Sequence, residues 1–256
     1  MSAPPGRGPG PCPPQIRIGT AGWSVPAAYR AAEPVSSQLQ HYATHFNCVE
    51  INSSFQKPHR PATFARWADS VPPEFRFSAK LPKAITHEHR LVACGQALTQ
   101  FCATLAGFHG KLAVLLVQLP PSLEFERRTA AASLSRLCTL TSAAIVCEAR
   151  HLSWFHPRVN RLFSALGITR VFADPPVDAA LQPAIGAEQF SYLRLHGQPR
   201  RYYSSYSPEY LSSLAVRLHA TAKGLGAWCI FDNTAGPAAW SNAMELQEDL
   251  RRQRSA

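Results

Sequence analysis

Eight short runs of β-branched and aromatic residues recur along the chain, and nearly every one is followed by a segment with helical spacing. The runs are 16–19 (IRIG), 48–52 (CVEIN), 75–80 (FRFSAK), 113–119 (AVLLVQL), 145–150 (IVCEAR), 170–174 (RVFAD), 190–196 (FSYLRLH) and 228–232 (WCIFD). Helical patterning falls near 35–46, 61–69, 94–106, 127–140, 157–166, 207–222 and 238–251. After the sixth run, Pro175, Pro176 and Pro183 limit any helix to a turn or two. Such alternation predicts βαβ units and a parallel sheet. Eight repeats predict an α/β protein with a TIM-like (β/α)8 barrel as a single domain. No strand is followed by GxGxxG or GxxxxGK[ST], which argues against an open nucleotide-binding sheet.

The predicted barrel occupies residues 16–250. Before it, residues 1–15 (MSAPPGRGPGPCPPQ) read as a disordered Pro/Gly-rich tail, and 251–256 as a basic C-terminal tail. No run approaches the ~18 apolar residues of a membrane span, and the first residues lack the apolar middle of a signal peptide. The expected location is therefore cytoplasmic, with no membrane partner. The seven cysteines include no CxxC pair and read as reduced, structural thiols. A net charge of +10 invites a nucleic-acid reading, but Arg7, Arg251, Arg252 and Arg254 supply four of those charges outside the predicted barrel.

The connections are unequal. Helix-to-strand links such as SVPPE, GFHGK and LGIT are short and plain. Strand-to-helix links are long and chemically unusual: NSSFQKPHRP, KLPKAITHEHRL, RHLSWFHP and HGQPRRYYSSYSP. In (β/α)8 barrels the active site is built from the strand-to-helix loops. Alternation along each strand then sorts residues by face. Glu50 and Asn52 share the face of Cys48; Lys80 shares that of Ser78; Gln118 follows Val114 and Leu116. Glu148 pairs with Arg150, Asp174 with Phe172, and His196 with Arg194, while the choice between Asp232 and Asn233 stays open. A lone buried carboxylate is costly. Glu50 is thus expected to point into a polar barrel mouth where Lys80, Arg150 and Arg194 neutralise it.

Several chemistries suit this ring. Lys80, Arg150 and Arg194 form a predicted anion subsite. Glu50 and Glu148 stand as a general acid/base pair, with His196 and Asp174 as further catalytic groups. Asn52, Gln118 and Asn233 add polar substrate contacts, and Trp23, Phe55, Trp154, Tyr202 and Tyr203 offer rings just beyond the strand ends. No cofactor is required. A divalent metal is the alternative, although HExxH spacing is absent and the one HxH pair, His87 and His89 of THEHR (86–90), reads as a solvated loop. The leading expectation is an enzyme of hydrolase, lyase or isomerase type acting on a small anionic or polyhydroxylated substrate. The rivals are a nucleic-acid-binding protein or endonuclease using RRYYSSY (200–206), and a non-catalytic ligand-binding barrel. Oligomeric state is not legible.

Seven segments in order, IGTAGW, FNCVEINSSF, FRFSAKLPKAITHEHRL, VQLPPSLEF, CEARHLSWF, YLRLHG and IFDNTAG, resemble the YecE-like family, domain of unknown function seventy-two. The resemblance spans residues 16–236 and implies a TIM-like barrel, with no established activity, substrate or cofactor. Carried over by position, it highlights Gly19, Gly22, Trp23, Glu50, Asn52, Phe55, Lys80, Thr86, His87, Gln118, Pro120, Glu148, Arg150, Trp154, Asp174, Arg194, His196, Gly197 and Asn233. The chain departs from the family pattern at Ala21, Val25, Gln56 and Asp232, where serine, tyrosine, an aromatic and asparagine are usual.

Overall fold

A computed structural model describes residues 16–30, 37–182, 185, 190–220 and 226–255. The expected tail 1–15 lies outside them. The strands are β1 (Ile16–Thr20), β2 (Cys48–Ile51), β3 (Arg76–Lys80), β4 (Leu112–Gln118), β5 (Ala144–Glu148), β6 (Thr169–Arg170), β7 (Phe172–Asp174), β8 (Phe190–Leu195) and β9 (Gly226–Phe231). The helices are α1 (Gln38–His45), α2 (Ser53–Gln56), α3 (Pro61–Asp69), α4 (Gly95–Thr104), α5 (Arg127–Leu140), α6 (Pro157–Leu166), α7 (Pro208–Ala220) and α8 (Ala238–Ser255). Local chemistry explains several boundaries. Helices α3, α6 and α7 begin on proline, whose fixed φ suits the first turn. At α5 the Glu126 carboxylate accepts from the N–H groups of Arg128 and Thr129. Gly167, at φ 65°, closes α6 in the left-handed conformation. Helix α8 runs on through Arg251 and Arg252, so the expected basic tail after residue 250 is helical as far as Ser255.

All strand pairs are parallel, but hydrogen bonding divides them into two sheets, β1-β9-β8-β7 and β2-β3-β4-β5-β6. The single continuous barrel ladder expected from the sequence is therefore interrupted at two seams. Between β1 and β2, Tyr42 of α1 replaces a direct ladder bond. Its hydroxyl accepts from the Thr20 N–H at 2.8 Å and donates to the Cys48 carbonyl at 2.9 Å. Only beyond that wedge does a bridge form, Ala21 to Glu50, with the Gly22 N–H donating to the Glu50 carbonyl at 2.8 Å. A Cβ at Gly19 would lie 2.3 Å from the Cys48 carbonyl oxygen, so only glycine allows this approach. The other seam splits the sixth run at Val171. β6 pairs with β5 and β7 with β8, while the Val171 N–H still donates to the Cys147 carbonyl.

Two apolar groups follow from strand alternation. The larger fills the space between the strands and the helices and includes Val49, Ile51, Phe77, Ala79, Leu115 and Val117. The smaller draws Cys48, Val114, Leu116, Val146, Val171, Tyr192, Trp228 and Ile230 from both sheets, which therefore face each other across it. The cysteines among the described residues are free, and Cys48, Cys147 and Cys229 are buried in strands.

One strand breaks the expected parity. Val171, not Phe172, joins the inner group, and Phe172 lies in the outer one beneath the guanidinium of Arg217, 5.4 Å from its ring centroid. Asp174 consequently leaves the inner set.

Candidate functional site

Immediately beyond the inner apolar group, the same faces of β2, β5 and β8 and the end of β9 carry Glu50, Glu148, Arg194, His196 and Asp232. All five are buried, and Arg194 is only 1% exposed. Arg194 organises them. Its Nε and one terminal nitrogen grip Glu50 in bidentate fashion at 2.9 and 2.7 Å. The same terminal nitrogen donates to Asp232 at 2.9 Å, and the other donates to Glu148. Four of the five guanidinium donors thus point at carboxylates. The expectation that Arg194 receives a ligand anion is corrected: Glu50, Glu148 and Asp232 neutralise it. The turn after His196 is also tightly packed. Gly197, at φ 87°, lets the Ser204 carbonyl approach where a Cβ would sit 2.6 Å from its oxygen.

Glu50 lies at the base of the cluster, its Oε2 2.9 Å from the Tyr192 hydroxyl, which is itself 2.9 Å from the Ser78 hydroxyl. Burial and the Glu50 charge push the Tyr192 phenol well above its ordinary range. Burial alone would raise Glu148, but Arg194, His196 and Arg150 outweigh it and hold the carboxyl well below its usual range. Asp232 is lowered against its burial in the same way, chiefly by Arg194 and His196.

His196 is held at both ring nitrogens. Nδ1 lies 2.9 Å from Asp232 Oδ2; Nε2 lies 3.1 Å from Glu148 Oε1 and 2.9 Å from Arg150. A neutral ring donates from Nδ1 to Asp232 and accepts from Arg150 at Nε2. A protonated ring donates to both carboxylates. Arg150 also pairs with Glu148, and its buried Nε has no acceptor among the described residues. The Tyr202 ring meets the imidazole edge to face at 5.9 Å and is 43% exposed, so it roofs the cluster from the solvent side.

Lys80 ends β3 with its ammonium 4.1 Å from the centroid of Phe55. Burial, then Arg194, lowers its pKa against the pull of Glu50, Asp232 and Glu148. Asn52 donates weakly to Asp232 at 3.4 Å, and its buried Oδ1 has no donor. Gln118 is half-buried at the end of β4, in register with Glu148.

Other predicted residues lie elsewhere. Asp174 faces the chain around α7, where it accepts from Tyr210 at 2.5 Å, from Tyr206 at 3.4 Å and from Gln198. Its catalytic assignment is corrected, because the seam at Val171 turns it away from Glu148. Trp154 is a plug in the outer core, donating to the Leu123 carbonyl and edge-on to Phe125 at 5.0 Å. Trp23 packs edge-on against Trp67 of α3 at 4.9 Å. Tyr203 stacks on Arg200 in the exposed loop, 3.9 Å from centroid to guanidinium carbon. Asn233 turns from the cluster to donate to the Ser204 carbonyl and Asn242. Asp232, which the strand pattern left undecided, takes the inward place. Tyr192 was missed, although it stands two residues before Arg194 on the same face and the alternation could have found it.

Among the described residues no group of three His, Cys, Asp or Glu side chains is arranged to hold a metal ion, and no helix is long and apolar enough to cross a membrane. A cleft of about 490 Å³ lies beside the cluster, between the loop after β1 and the start of α8. Thr20, Ser24, Thr234 and Trp240 are among its lining residues, and none of the cluster's charged side chains lines it.

The fold and cluster define an α/β protein of parallel sheets whose strand ends converge on a buried ionic network. The chain belongs to the family described as "Protein of unknown function DUF72", which matches residues 17–256. It is 31% identical over 172 residues to the UPF0759 protein YecE of Escherichia coli K12, covering 64% of this chain and 61% of that protein. It is 24% identical over 268 residues to the UPF0759 protein YunF of Bacillus subtilis, covering 92% and 94%. Among solved structures, a DUF72 family protein from Thermotoga maritima superposes with a TM-score of 0.78 at 24% identity, covering 92% of this chain and 99% of that one. One from Enterococcus faecalis gives 0.75 at 21%, covering 93% and 96%. These likenesses support the fold.

Proposed function

We propose that the two sheets form the halves of one (β/α)8-type barrel and that the ionic cluster at its carboxyl end is the active site of an enzyme for a small anionic, hydroxylated substrate. The observation that carries this reading is the uneven use of charge. Arg194 is consumed by three carboxylates, whereas among the described residues the buried Arg150 Nε has no acceptor, the buried Asn52 Oδ1 has no donor, and the Lys80 ammonium lies over the face of Phe55. Leaving buried polar groups unmatched costs about 1–3 kcal/mol each, a cost a ligand removes. An anion meets Arg150, a substrate hydroxyl meets Asn52, and His196 carries the proton, steadied by Asp232 and Glu148. Phe55 and Tyr202 wall the entrance. Asp174 takes no part.

Thermal melts with inorganic phosphate and with glucose 6-phosphate test this. Ligand at roughly 1 mM, the upper end of common small-substrate affinities, should raise the Tm of the wild type. Arg150→Met should remove most of that rise. Absence of stabilisation by either compound, together with tight oligonucleotide binding that weakens steeply with salt, overturns the reading in favour of the exposed RRYYSSY loop.

A further inference from the structure

Lys80 differs from the other described lysines in what its head touches. Lys83 pairs with Glu88 at 3.4 Å, and Lys111 donates to the carbonyls of Ala68 and Val71 at 2.6 and 2.8 Å. Lys57 is exposed beside α2. Lys80 is only 8% exposed, yet its recorded side-chain contact is the face of Phe55, with no carboxylate or carbonyl in hydrogen-bonding range among the described residues. Competition explains this. The acids whose charge reaches it, Glu50, Asp232 and Glu148, already accept from Arg194, Arg150, His196 and Tyr192. An ammonium needs acceptors for three protons. Phe55 supplies only a ring face, which offsets part of the desolvation. Burial, then the neighbouring Arg194, lower its pKa, while Glu50, Asp232 and Glu148 pull the other way. A desolvated lysine beside another cation is a setting in which the amine can serve as a nucleophile.

We propose that Lys80 is the nucleophile of this site, its ε-amine condensing with the carbonyl carbon of a small anionic aldehyde or ketone. The inference rests on the anionic-substrate reading above: Arg150 takes the anion and Lys80 the carbonyl. The nitrogen lone pair adds to the carbonyl carbon, the π pair moves to oxygen, and a proton passes from nitrogen to that oxygen to give a carbinolamine. Protonation of the hydroxyl releases water as the C=N bond forms. Amine, carbonyl and one proton thus give a protonated imine and one water, with no oxidant or reductant. The imine then withdraws electrons from the adjacent C–H or C–C bond. Lyase or isomerase chemistry follows, rather than hydrolysis.

Reductive trapping on the full chain is the test, with glyceraldehyde 3-phosphate and pyruvate as probes and cyanoborohydride at neutral pH, read by intact mass and peptide mapping. The expected result is one secondary-amine adduct on Lys80, formed at least ten-fold faster than on Lys57 or Lys83 and abolished in Lys80→Arg. Inorganic phosphate should slow it. Labelling confined to the exposed lysines, with Lys80 unmodified, overturns the inference and leaves Lys80 as a cation clamped by Phe55. The phosphate melt separates the two ideas. Phosphate stabilisation without a Lys80 adduct keeps the anion site and rejects the nucleophile. An adduct without phosphate stabilisation upholds the nucleophile and rejects the anion site as drawn.

Discussion

Two residues of travel along the strands, about 6.6 Å at roughly 3.3 Å each, separate two different interiors. Cys48, Val146, Tyr192 and Ile230 belong to a layer held by apolar contact. Glu50, Glu148, Arg194 and Asp232, the next residues on the same faces, belong to a layer held by charge. Both are equally dry. The lower layer tolerates the loss of a methyl group roughly in proportion to the space left, because apolar packing is non-directional. The upper layer is a closed set of donors and acceptors, so removing one member strands the others in a medium that cannot rehydrate them.

Arg194→Ala should give the largest loss, about 3–5 kcal/mol, because it leaves buried carboxylates uncompensated. A Tm fall of roughly 6–20 °C should be measured at this size. Adding Glu50→Gln should recover part of it; no recovery at all would mean that packing rather than charge holds this layer. Leu116→Ala, in the lower layer, should cost about 2–5 kcal/mol by cavity formation.

The two layers then separate by pH. Glu148 and Asp232 are held below their ordinary values, so their contribution is present above about pH 4, the unfolded carboxylate range. It is lost as the pH falls through their folded values, by about 1.4 kcal/mol for each unit of depression. Urea midpoints between pH 7 and pH 3 should show the Arg194→Ala penalty shrinking while the Leu116→Ala penalty stays constant.

Asp174→Asn should cost about 1–2 kcal/mol through its bonds to Tyr206 and Tyr210, without changing phosphate stabilisation. A large loss of ligand response would restore it to the site. Gln118→Ala, at a half-buried residue whose side chain makes no hydrogen bond among the described residues, should change stability by under about 0.5 kcal/mol.

Helices α3, α5 and α6 were legible to the residue because their starts and stops are local events: a leading proline at 61 and 157, the capping carboxylate of Glu126, and Gly167 in a left-handed turn. The inward faces of β2, β5 and β8 were legible because alternation is a property of the strand itself. Asp174 was misread because nothing local reveals that the ladder parts at Val171 and hands the chain to the other sheet. Trp154 was misread because a tryptophan after a strand looks the same whether it faces a ligand or fills the outer core.

The sequence by itself determined most of the strands and helices and their order, though not α2 or the break at Val171, and that charged residues gather at strand ends. It did so because periodicity, capping and proline geometry act over a few residues. The tertiary structure alone decided how those charges divide, assigning Arg194 to the carboxylates, setting Lys80 over the Phe55 ring and leaving the Arg150 Nε without an acceptor among the described residues. It also decided that Asp232 faces inward while Asn233 and Asp174 do not. The reason is that hydrogen-bond partners here come from strands and loops distant in the chain, some separated by more than a hundred residues, as Glu50 and Arg194 are. Which donor reaches which acceptor depends on distance and angle in the folded core, and no local pattern encodes that.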